Sequence, residues 1–126
     1  MRFVIAIAAT LILTGGSFAQ HSHGSKGPNG GVLEDVAGVH AELVATGTTI
    51  TINILDESNK PASTKGMTAS ALVVNGADRE TIKLTEASDG VLKGDVKKAV
   101  APNTNVTLML KTAAGKSGQA RYKIEK

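Results

Sequence analysis

The sequence predicts an all-β domain: an immunoglobulin-like antiparallel β-sandwich of seven or eight short strands, preceded by a signal peptide and a flexible arm. Three observations predict it. Runs of Val, Ile, Leu and Thr alternate with polar residues at period two, clusters of Gly, Asn, Asp and Pro interrupt those runs at close spacing, and no segment holds a helical period. Strands with one apolar and one polar face must hide the apolar faces together, which requires two packed layers or a closed barrel.

In chain order, residues 1–19 come first. Arg2 is followed by a largely apolar run from Phe3 to Leu13 and then by a small-residue tail, the layout of a secretory signal peptide. The run ends at Thr14-Gly15-Gly16-Ser17, short of the roughly 20 apolar residues a membrane span needs. Ser17 and Ala19 supply the small side chains expected before a cleavage, leaving Gln20 at the new N-terminus. The expected location is the periplasm or the exterior, with no membrane span after processing.

Residues 20–31, QHSHGSKGPNGG, contain no apolar side chain to offset ordering entropy and read as a flexible arm. The sandwich is expected over residues 32–126. Val32–Val36 is a short strand turned by Ala37-Gly38. Val39, Ala41 and Leu43 then alternate with His40, Glu42 and Val44, and after Ala45-Thr46-Gly47 the clearest strand sets Ile50, Ile52 and Ile54 on one face. Residues 56–66, with Lys60-Pro61 and mostly small or polar neighbours, read as a long crossover. Strands over 67–75 and 80–85 flank the turn signal Asn75-Gly76, Asp89-Gly90 turns into 91–96, and residues 106–111 and 119–125 close the series.

Composition narrows the chemistry. The 126 residues contain no Cys, which excludes disulfides, thiolate metal sites and thiol nucleophiles. The only aromatic residues are Phe3, Phe18 and Tyr122, so the platforms that stack bases or sugars are missing and no nucleic-acid partner is expected. The net charge of +3 comes from 14 Lys and Arg against 11 Asp and Glu. Scattered along the chain and not gathered into a run, these cations give little sequence-level indication of a polyanionic partner. No nucleophile elbow, phosphate loop, calcium loop or paired carboxylates occur, and an enzyme is not expected.

The histidines carry the remaining chemistry. In Gln20-His21-Ser22-His23, the α-amine, the intervening amide and the His21 ring can occupy three in-plane positions around Cu(II), with His23 completing the set. The competing reading is a solvated tail. His40 and Glu42, two apart on a strand, project from the same face and could share a cation with the arm, or stand as an exposed surface pair. Met67 and Met109 could offer thioethers to Cu(I), or simply fill space.

The run His23–Val44, HGSKGPNGGVLEDVAGVHAELV, resembles the small periplasmic domains found alone, or as N-terminal extensions of periplasmic adaptor subunits, in bacterial heavy-metal efflux systems. Those sequences open with a His-Gly or Gly-Gly segment and continue into a His-x-Glu-Leu-Val strand like His40–Val44. The resemblance implies a periplasmic β-sandwich that handles copper, zinc, cobalt or a related cation, with His23, His40 and Glu42 at the recurrent polar positions. It implies periplasmic subunits of a metal efflux system as partners. No efflux-adaptor hairpin or lipoyl-like segment is present, so the role implied is accessory. The expected function is therefore metal binding through His21, His23, His40 and Glu42. The alternative is a metal-free module that docks onto an envelope complex through a sheet edge or the loops 56–66 and 97–105.

Overall fold

In the computed structural model, which describes residues 25–124, the described chain is all-β, with nine antiparallel strands. They are β1 (Ser25–Lys26), β2 (Val32–Val36), β3 (Val39–Thr46), β4 (Thr49–Leu55), β5 (Thr68–Asn75), β6 (Asp78–Ser88), β7 (Val91–Asp95), β8 (Asn105–Lys111) and β9 (Ser117–Lys123). Their order is β1-β2-β3-β4-β7-β6-β5-β8-β9, a single ladder curled into a half-barrel. Residues 1–19, read from the sequence as a signal peptide, and residues 20–24 lie outside the described residues.

The ladder bends at β6, whose 11 residues serve two neighbours. Asp78–Leu84 pair with β5, whereas Thr85–Ser88 pair with β7 across a register shift between Glu86 and Ser88. An irregularity of this kind raises local twist and lets one strand cross from one layer to the next. The described strands thus form one continuous sheet that curls over a shared core. The connections follow the turn chemistry: β5, β6 and β7 form a meander, β4 lies beside β7, and β8 returns beside β5. Both outer placements are Greek-key returns, and the 56–66 segment supplies the first of them, as its composition predicts.

Period two decides what is buried. Ile50, Ile52 and Ile54 are fully buried, as are Val106 and Leu108, and one apolar cluster joins residues of β2 through β9. Each such side chain contributes about 1.5–3 kcal/mol of transfer free energy. Tyr122, the sole aromatic residue in the described chain, fills the centre at 2% exposure, and its hydroxyl donates to the Ala41 carbonyl at 2.8 Å. That bond runs from the last strand of the ladder to the third, so it ties the two halves together across the curl. Burial, followed by the charges of Glu34 and Asp35, pushes the Tyr122 phenol far above its ordinary range.

Two expectations change. The ninth strand is β1, which pairs Ser25 with Leu33 and Lys26 with Val32. Residues 25–31, read as part of the flexible arm, are therefore strand and turn, and the body begins before residue 32. The physical reason is a buried acceptor in β3 that sequence alternation alone does not reveal.

Candidate functional site

That acceptor is Glu42. By strand parity its side chain belongs to the face opposite Ala41 and Leu43, yet all three are buried and Glu42 is 0% exposed. A buried carboxylate survives only when its oxygens are hydrogen-bonded. Glu42 Oε2 accepts from the backbone N–H groups of Asn29 and Gly31, both at 2.8 Å, and Oε1 accepts from Asn29 Nδ2 at 2.8 Å. The donors come from one tight turn, closed by Gly27 N–H to Gly31 O at 2.9 Å and Gly30 N–H to Gly27 O at 3.1 Å.

The glycines of this turn have a steric cause. A Cβ on Gly27 would overlap the Glu42 carboxylate, and one on Gly31 would overlap the Leu43 carbonyl oxygen. Only hydrogen at those positions lets the backbone settle onto β3. Glu42 is therefore not the exposed partner of His40 that the strand pattern suggests. Its two oxygens are committed to the 27–31 turn, and its work is to hold β1 and that turn against the sheet.

His40 lies on the same outward parity but meets different neighbours. Across the two-residue Ala37-Gly38 turn, Asp35 and His40 are paired in register. His40 Nε2 is 2.9 Å from Asp35 Oδ1, and Nδ1 is 3.1 Å from Asn59 Oδ1 in the crossover after β4. The His40 side chain is 27% exposed and that of Asp35 85% exposed, so this pair meets solvent. A ring nitrogen fixed on a carboxylate leaves the other oriented, the arrangement that presents imidazole to a metal.

The structure thus separates His40 and Glu42 by function and joins His40 to Asp35 and Asn59 instead. Asp35 was readable in principle, since a two-residue hairpin turn fixes its register against His40; Asn59 and Asn29 were not. His21 and His23 lie outside the described residues. Met67 packs against the core, whereas Met109 takes the outward parity of β8, so the two thioethers do not converge. Among the described residues, no group of three or more His, Asp and Glu is placed to hold a metal ion, and no helix is long and apolar enough to cross a membrane. Comparison with known proteins finds no matching family, no matching curated relative and no matching solved structure.

Proposed function

We propose that this chain is an exported, periplasmic metal-binding accessory protein, which takes up a copper or divalent ion through the imidazoles of its N-terminal segment and His40. The observation that carries this reading is the direction of β1 relative to the Asp35–His40 pair. Ser25 pairs with Leu33 and Lys26 with Val32, so β1 runs antiparallel to β2 and its first residue, Ser25, is the one nearer the Asp35 end of β2. His23 is two residues before Ser25, no more than about 7 Å of chain. His21 is two residues further.

In this reading Asp35 holds the Nε2–H of His40, and Nδ1 supplies the ligand once the Asn59 amide, whose Oδ1 faces it, turns aside. A carboxylate behind a ligating imidazole fixes its tautomer and raises its basicity. Glu42 contributes by anchoring the turn from which the histidines extend, not by ligation. The leader-like residues 1–19 support export, and the resemblance over His23–Val44 supports a link to heavy-metal handling or efflux. The Greek-key returns on either side of the β5–β7 meander support the finer fold reading, an immunoglobulin-like sandwich, since that connection recurs in most β-sandwiches.

The test is calorimetric titration of the untagged, processed protein with Cu(II) and Zn(II), comparing wild type with His21→Ala/His23→Ala and with His40→Ala. Both variants are expected to weaken binding of the physiological ion at least tenfold, about 1.4 kcal/mol. Affinities equal to wild type in the arm variant would remove the arm from the site and the proposal with it.

A further inference from the structure

The cations that the sequence scatters are collected by the strand order. On the four strands β6-β5-β8-β9, alternation buries Ile82, Leu84, Ala71, Val73, Leu108, Leu110, Ala120 and Tyr122 and turns the intervening residues outward. Those outward positions include Arg79, Lys83, Lys111, Arg121 and Lys123, all exposed, and no Asp or Glu. The described ion pairs are His40–Asp35 and Lys98–Asp78, and none of these five cations belongs to either.

Five of the 14 Lys and Arg thus stand on one face, and the nine that remain meet 11 Asp and Glu. The positive balance of the whole chain is located here, while the rest of the molecule is slightly acidic.

The arrangement has a centre and two flanks. Register places Arg79, Val74, Asn105 and Lys123 in one cross-strand row, Thr81, Leu72, Thr107 and Arg121 in the next, and Lys83, Ser70, Met109 and Gln119 in the third. The half-buried apolar side chains of Val74, Leu72 and Met109 lie on the inner strands, with four of the cations on β6 and β9 to either side and Lys111 at the end of β8. Three strand spacings separate the flanks, about 14 Å. That exceeds the screening length of roughly 8–10 Å at physiological ionic strength, so the flanks coexist without strong mutual repulsion. A shallow depression of about 610 Å³, lined in part by Ser70, Lys83, Met109, Lys111 and Gln119, dishes the lower part of the face.

We infer that this face is a docking surface for an acidic protein partner, one presenting an apolar strip bordered by carboxylates. Charge complementarity selects an anion, and the recessed apolar centre selects the kind. A nucleic acid offers phosphates without an apolar strip, and the single aromatic side chain among the described residues, Tyr122, is buried in the core. A bilayer surface is read by apolar side chains that protrude beyond the cations, whereas Leu72, Val74 and Met109 are half-buried. An apolar centre within a charged rim is the anatomy of a protein interface. The backbone footprint of about 14 by 20 Å places it at the small, transient end of such interfaces.

The test uses the untagged, processed protein and three probes: a soluble peptide of alternating Glu and Leu, its Glu and Ser counterpart, and phosphatidylglycerol vesicles. Lys83→Glu/Arg121→Glu reverses the face, with Lys111→Glu/Lys123→Glu as an independent second pair. Lys60→Glu/Lys65→Glu, both exposed in the crossover between β4 and β5, makes the same charge change elsewhere, and circular dichroism verifies folding. The Glu-Leu peptide is expected to bind more tightly than the Glu-Ser peptide, with affinity falling as salt rises. Either face reversal should weaken it about tenfold, and the control pair less than twofold. Equal losses from face and control reversals would reduce the effect to bulk charge, and equal affinity for the two peptides would remove the apolar centre. Tighter binding to the vesicles, or self-association abolished by the face reversals, would assign the surface to lipid or to a second copy. Each of these four results overturns the inference.

Discussion

Replacing Glu42 tests whether a single buried carboxylate holds the N-terminal hairpin to the sheet. Three donors converge on it at 2.8 Å, and hydrogen bonds to a charged acceptor contribute about 1.5–3 kcal/mol each before the desolvation of the carboxylate is subtracted. In Glu42→Ala all three donors lose their acceptor and a cavity opens. The loss is bounded, however, because the 27–31 turn can lift into water and satisfy its N–H groups there. The expected cost is about 3 kcal/mol, equivalent to roughly 12–20 °C in Tm for a domain of this size. Glu42→Gln behaves differently. Its amide oxygen can occupy the Oε2 position and accept both backbone N–H groups, while the Asn29 side-chain amide flips to offer its oxygen to the new NH₂. Only the charge assistance is lost, about 1 kcal/mol. Urea unfolding measures both variants, and amide exchange at Gly31 reports whether the turn has detached. Equal costs for Gln and Ala, or a cost below about 1 kcal/mol for Ala, would show that the hairpin is held by something other than this acceptor.

Two further outcomes follow from the same geometry. Gly27→Ala sets a methyl against the Glu42 carboxylate, so it should destabilise by about as much as Glu42→Ala, and the double variant should cost far less than the sum, a coupling read from a double-mutant cycle in urea. Tyr122→Phe removes the bond to the Ala41 carbonyl and should cost about 1–2 kcal/mol. Because burial raises the phenol pKa in the folded state, the unfolded chain loses this proton first. Stability from the group is therefore complete below pH of about 10 and falls by about 1.4 kcal/mol per unit above it. Ultraviolet titration should show no tyrosinate near the ordinary range until the protein unfolds, and a normal titration in the folded protein would contradict the burial.

Much of the fold is readable in the sequence because period two is strict where both halves of the sheet are buried. Ile50, Ile52 and Ile54, and Val106, Leu108 and Leu110, alternate without error, Ala37-Gly38 turns its hairpin as expected, and the turn after β5 falls one residue later than expected, at Gly76-Ala77. What escapes is whatever depends on non-local closure. Glu42 reads as exposed because its strand parity is polar, and only the turn from residues 27–31, 11 or more positions away in sequence, covers it. The glycines that permit this approach resemble a loose tail in composition, although their spacing is the mark of a backbone forced close to another. The same limit hides β6: its sequence alternates as one strand, and nothing local announces that its first half belongs to β5 and its second to β7.

Strand order is also what turns a dispersed charge into a surface. Arg79 and Lys83 precede Arg121 and Lys123 by about forty residues in the sequence, and in a simple up-and-down meander β8 and β9 would follow β7, away from β5. The Greek-key return of β8 beside β5 changes this, because it stacks β6, β5, β8 and β9 in that order and puts the cations of the first and last strands on one plane. The alternative half of the sheet carries Asp35, His40 and Glu42. A chain whose net charge is small and whose cations never cluster in sequence can therefore present two faces of different chemistry, one with an imidazole oriented by Asp35 and one basic with an apolar centre. The division is enforced at β6: a single strand that bends between the halves lets each outer face evolve its own side chains without disturbing the shared core.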